Sequence, residues 1–132
     1  MKRILVAEDR PASLELIRTV LENAGYEVIE AIDGQEALEK AAATPVDLIL
    51  LDLQMPRIDG FGVLARLRKD HRFARTPIVA LTASAMQGDR ERALAAGFSG
   101  YVAKPVDLGV LRSEVKRLIN ETTGDAGERD GG

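Results

Sequence analysis

Short, almost wholly apolar runs alternate with stretches of helical periodicity along the whole of this 132-residue chain, and that alternation leaves few folds open to it. The clearest run is Val46-Asp47-Leu48-Ile49-Leu50-Leu51-Asp52. It has too little polarity for a strand with one wet face and reads as a strand buried on both sides. Such strands belong to parallel sheets covered by helices. Ile4–Ala7, the weaker Glu27–Ala31, Ile78–Thr82 and Gly100–Ala103 repeat the signal.

Helical stretches separate the runs. Leu14, Ile17, Leu21 and Ala24 share one face of a helix that opens near Asp9 or Arg10, with Pro11 in its first turn and Gly25 as its C-terminal cap. Asp33-Gly34 turns into a second helix over about Gln35–Ala43, which Pro45 stops. After Asp52 comes a loop over Gln54–Gly60. A helix then resumes near Phe61 with Val63, Leu64 and Leu67 on its buried side. Asp89–Ala96 is helical and ends at Gly97, and Asp107 caps a last helix that buries Leu108, Leu111, Val115, Leu118 and Ile119. Five strand–helix units in strict alternation predict an α/β fold, a doubly wound parallel five-stranded sheet with helices on both faces. The flavodoxin-like (βα)5 order 2-1-3-4-5 is one common solution for right-handed crossovers. One domain over residues 1–120 and a disordered tail over 121–132, rich in Gly, Asp and Thr, complete the expected organisation.

Composition narrows the function classes. A net charge of -3 has the wrong sign for a nucleic-acid binder, and the absence of cysteine rules out disulfides and thiolate metal sites. There is no signal-peptide pattern and no apolar stretch of the roughly 20 residues a membrane span needs, so the cytoplasm is the expected location.

The ends of the apolar runs carry the chemistry. Glu8 and Asp9 close the first, Asp52 the third, Thr82 the fourth and Lys104 follows the fifth. In the order 2-1-3-4-5 the first and third strands are neighbours, so Glu8, Asp9 and Asp52 converge. Three crowded carboxylates repel and resist desolvation. A divalent cation resolves the conflict, and Mg²⁺ suits an oxygen site completed by water and phosphate. Asp9 and Asp52 are the first ligand candidates. Glu8 is a third, directly or through water, and the Gln54 backbone carbonyl a fourth. Such a site suits phosphoryl transfer, with Asp52 as nucleophile, Lys104 meeting one phosphoryl oxygen and the Thr82 hydroxyl another.

Glu8-Asp9, Asp52 followed by Met55-Pro56 and Gly60, Thr82-Ala83, and Tyr101 before Lys104-Pro105 form one ordered signature. In it the chain resembles the receiver domains of bacterial two-component response regulators, of the single-domain type, over about residues 1–120. The resemblance implies a phosphorylation switch rather than an enzyme with an external substrate. Asp52 would accept a phosphoryl group from a histidine kinase or histidine phosphotransfer protein, with Mg²⁺ held by Glu8, Asp9, Asp52 and the Gln54 carbonyl. It also implies switching by Thr82 and Tyr101, a commonly cis Lys104-Pro105 bond, and a partner-reading surface on the fourth helix, fifth strand and fifth helix. The downstream partner is unknown, and the expected assembly is a monomer or weak dimer. Arg10 departs from the Asp or Asn that many relatives carry after the acidic pair. Gln54 and Ser84 occupy positions that tune dephosphorylation in the family.

Each residue also has a plainer reading. Asp9 alone suits a helix N-cap, Glu8 a favourable charge at a helix start, and Asp52 a salt bridge to Lys104. Thr82 and Tyr101 alone suit strand packing, Lys104 surface charge, Met55 and Met86 packing or loop positions, and His71 a solvated loop. Rival functions fail at named positions. A haloacid-dehalogenase-type phosphatase needs an acid where Gln54 stands. A flavodoxin-like FMN carrier needs a phosphate-cradling loop where Glu8-Asp9-Arg10-Pro11 puts acids. A pseudo-receiver that binds partners without phosphorylation is the remaining alternative.

Overall fold

Leu48 to Asp52 is buried at every position, the signature of a strand with no wet face. In the structure, a computed structural model, this strand lies at the centre of the molecule. Residues 1–83 and 88–131 are described, with side chains left out at 89 and from 121 on. Five strands, β1 (Arg3–Ala7), β2 (Glu27–Ala31), β3 (Leu48–Asp52), β4 (Ile78–Thr82) and β5 (Gly100–Ala103), pair in parallel in the order β2-β1-β3-β4-β5. That is the order the alternation implied.

Side chains on a strand alternate faces, so an apolar run feeds two cores at once. Leu5, Ala7, Ile49, Leu51, Ile78 and Ala80 meet the helices α2 (Gly34–Ala43), α3 (Gly60–Arg68) and α4 (Asp89–Ala96). Ile4, Val6, Leu48, Leu50, Val79 and Leu81 meet α1 (Pro11–Asn23) and α5 (Leu108–Gly131). The predicted helix faces hold at Leu14, Ile17 and Leu21 of α1 and at Leu111, Val115, Leu118 and Ile119 of α5. Ala24 is exposed instead, because α1 ends at Asn23 and Ala24 is already its cap, with Gly25 beyond it at φ 97°. Met55 packs in the first of these cores, and His71 is exposed on a short 3-10 turn, His71–Phe73.

Local capping chemistry sets most helix starts. Asp33, Asp59 and Asp107 each accept a backbone N–H from the first turn that follows them. The start of α1 is different. Arg10, extended at φ -92°, precedes Pro11 without any side-chain cap, and it is Glu8 Oε2 that accepts the Arg10 N–H at 3.1 Å. Asp9 is therefore not the cap its residue type suggested. Proline needs no partner there, since it has no N–H to satisfy.

The register brings the strand ends level: Ala7 lies opposite Leu51, and Thr82 opposite Ala103. The loop after β3 is held close by two glycines. A Cβ on Gly60 would lie 2.7 Å from the Asp52 carbonyl oxygen, and one on Gly34 would overlap the Ile58 carbonyl. Arg57 in that loop takes a left-handed φ of 70° and its guanidinium faces Asp33 at 3.4 Å.

Candidate functional site

Among the described residues the only buried polar or charged side chains are Glu8, Asp52 and Thr82. All three stand at the carboxyl ends of neighbouring strands. Burial of carboxylates without function is uncommon, so their convergence marks the site.

Lys104, immediately after β5, joins the two buried acids. Its Nζ lies 2.6 Å from Glu8 Oε1 and 2.8 Å from Asp52 Oδ2. The other Asp52 oxygen, Oδ1, accepts the Gln54 N–H at 2.9 Å. The Lys104 N–H in turn donates to the Thr82 carbonyl at 2.7 Å, which ties the ends of β4 and β5 together. The Lys104-Pro105 bond is cis, as the resemblance implied. The plain salt bridge between Asp52 and Lys104 is thus present, but it extends to Glu8 and does not include Asp9.

Glu8 is the strained member. Its pKa is raised, chiefly by burial and further by the charge of Asp52, against the opposing pull of Lys104 and the Arg10 N–H. Oε1 sits close to the ammonium yet has no well-directed hydrogen bond. Burial on its own would lower the Lys104 pKa, but the nearby carboxylates of Asp52 and Glu8 outweigh it and raise it, so the group stays an ammonium.

One carboxylate oxygen each from Glu8, Asp9 and Asp52 fall within 4.8 Å of one another, with Asp9 exposed and the other two buried. A hard dication fits this donor set of three carboxylates: its charge would offset the cost of burying Glu8 beside Asp52. Asp9 and Asp52 open into a cavity of about 670 Å³ that is also lined by Arg10, Gln54 and Lys104.

Thr82 is buried at the end of β4, and Tyr101 is half-buried on β5 opposite Ala80. Lys104 is largely withdrawn from solvent and is no surface charge. Ser84 and Met86 lie outside the described residues. One organising residue carried no legible signal in its charged stretch. Arg68 reaches from α3 to the carbonyls of Phe73, Thr76 and Gly97 and to the Ser99 hydroxyl, and burial lowers its pKa.

Comparison with known proteins agrees with this geometry. The family model described as the response regulator receiver domain matches residues 4–116. The chain is 39% identical over 122 residues to the DNA-binding dual master transcriptional regulator RpaA of Synechocystis sp., covering 92% of this chain and 51% of that protein. It therefore spans about half of that relative's length. It is 34% identical over 120 residues to the polar-differentiation response regulator DivK of Brucella ovis, covering 91% of this chain and 98% of that one. Among solved structures, the receiver domain of a sensor histidine kinase from Pseudomonas aeruginosa superposes with a TM-score of 0.83 at 38% identity, covering 90% of this chain and 98% of that chain. That structure has a magnesium ion coordinated in its active-site cleft.

Proposed function

The chain belongs to the response regulator receiver family of two-component signalling, and from that premise we propose that Asp52 is its phosphoacceptor. Receiver domains are signalling proteins rather than enzymes that turn over an external substrate. The observation that carries the assignment is the buried triad at the strand ends, with Lys104 held between Glu8 and Asp52 and Asp9 standing at the open side. No observation favours the phosphorylation-independent alternative.

The donor is a phosphohistidine on a kinase or phosphotransfer protein. An Asp52 oxygen forms the bond to phosphorus while the phosphorus–nitrogen bond breaks and the electron pair returns to the imidazole. Glu8, Asp9, Asp52 and the Gln54 carbonyl would hold Mg²⁺. When bound, Mg²⁺ supplies positive charge that offsets both the carboxylates and the phosphoryl oxygens. Lys104 then exchanges its contact with Asp52 for a phosphoryl oxygen, and the Thr82 hydroxyl donates to another. Movement of Thr82 is coupled to Tyr101 across the β4–β5 pair, which shifts the population of conformers read by a partner on α4, β5 and α5. Leu94 on α4 and Val110 on α5 are exposed apolar side chains available to such a partner.

The packed domain is proposed to end near Asn120, and the stretch of α5 beyond it to be disordered in solution. No described helix is long and apolar enough to cross a membrane, and we place the protein in the cytoplasm as a monomer or weak dimer, with no nucleic-acid or membrane partner. Intact-protein mass after incubation with acetyl phosphate tests the central claim. The expected result is one added phosphoryl group that requires both Mg²⁺ and Asp52. Labelling retained by Asp52→Asn would sink it.

A further inference from the structure

A phosphoryl group enters a pocket walled by carboxylates, so the placement of cations decides how readily it arrives. The charge of Lys104 is already matched, at 2.6 Å from Glu8 and 2.8 Å from Asp52. Arg10 lines the same cavity as Asp52 and Lys104. Its side chain is exposed, and its guanidinium makes no hydrogen bond or ion pair among the described residues. By contrast, the guanidiniums of Arg3, Arg18, Arg57 and Arg72 each face a carboxylate.

The Arg10 backbone, however, is held. Its N–H donates to Glu8 Oε2 at 3.1 Å, and Pro11 begins a helix directly after it. An anchored main chain thus carries an unengaged cation at the rim of the cavity. A guanidinium is always charged and presents parallel N–H donors that match two oxygens of a phosphoryl group.

We propose that Arg10 is a phosphoryl-binding residue that receives the incoming group at the rim and aligns it on Asp52. The claim rests on the reading of Asp52 as phosphoacceptor. With acetyl phosphate as donor, an Asp52 oxygen bonds to phosphorus while the bond from phosphorus to the acetate oxygen breaks, and the electron pair leaves with acetate. Arg10 transfers no proton. It stays positive throughout and donates N–H groups to the non-bridging oxygens.

The test compares wild type, Arg10→Gln and Arg10→Lys in the full chain. Labelling by subsaturating acetyl phosphate with Mg²⁺ is followed by intact mass. The Arg10 Nε–Hε resonance is followed by NMR during titration with inorganic phosphate. The expected results are a labelling rate lower by about tenfold in Arg10→Gln, recovered to within about threefold in Arg10→Lys, and a saturable Nε shift in wild type. Melting temperatures should stay within about 2 °C, since the side chain has no structural bond to lose. A rate for Arg10→Gln within about twofold of wild type overturns the role of Arg10 and leaves Asp52 as acceptor. If wild type takes no label, the phosphoacceptor reading falls and the titration decides alone. A saturable Nε shift then keeps the phosphoryl contact, and its absence overturns it.

Discussion

Glu8 carries opposing demands of stability and chemistry. A carboxyl whose pKa is raised in the folded state holds its proton more tightly there than in the unfolded chain. Its contribution to stability is therefore fully present below the ordinary value of 4.5 and is lost as pH rises through the folded value. At neutral pH without metal, Glu8→Gln should accordingly raise stability by about 1 kcal/mol, a few degrees in melting temperature. The advantage should vanish as pH falls below 4.5. Mg²⁺ should stabilise wild type more than the variant, which keeps Asp9, Asp52 and the Gln54 carbonyl. Thermal melts across pH, with and without Mg²⁺, check both halves, and a variant less stable than wild type at neutral pH would refute the first. The residue type at position 8 was legible as an acid at a strand end. Its bond to the Arg10 N–H, in place of the cap expected from Asp9, was not, because only the fold shows which carboxylate points back at the helix start.

Elements depend on contacts that periodicity does not encode. Arg68 ends α3 inside a run of charges, Arg68-Lys69-Asp70-His71-Arg72, that reads as solvated surface. Its guanidinium instead gathers the carbonyls of Phe73, Thr76 and Gly97, joining α3 to the 3-10 turn, the approach to β4 and the end of α4. Among the described residues no carboxylate takes part, so the stabilisation comes from charge-assisted hydrogen bonds to partly buried main chain. Arg68→Met should destabilise by about 2–3 kcal/mol, and Arg68→Lys should recover only part of that, because an ammonium cannot span the same fork. Urea unfolding measures it. Equal stability of the lysine variant and wild type would show that charge alone suffices. Asp107 caps α5 as expected, while Asp33, read as a turn residue, and Asp59, read as part of a loop, prove to cap α2 and α3 in the same way. Ala24 fell outside its helix because Gly25 adopts the left-handed conformation that ends α1, a competition between face and cap that spacing alone does not resolve.

At the scale of the molecule, the sheet serves two cores, and each central strand contributes to both. Leu50 is fully buried on the face covered by α1 and α5. Leu50→Ala should destabilise by about 2–5 kcal/mol with little change in the urea slope, as expected for a cavity in a cooperative unit. A loss well under about 1 kcal/mol would show that the two helices close the gap. The sequence by itself determined the alternation of strands and helices, the parallel sheet, and the set of residues at its carboxyl edge. Burial on both faces and turn chemistry are local properties, written in composition and spacing. The tertiary structure alone decided that Lys104 bridges Glu8 and Asp52, that Asp9 and Arg10 are left at the rim, and that Arg68 turns inward. The Lys104 bridge depends on the register between β1, β3, β4 and β5, which brings residues distant in sequence within hydrogen-bond reach. The inward turn of Arg68 depends on how α3 packs beside the end of α4.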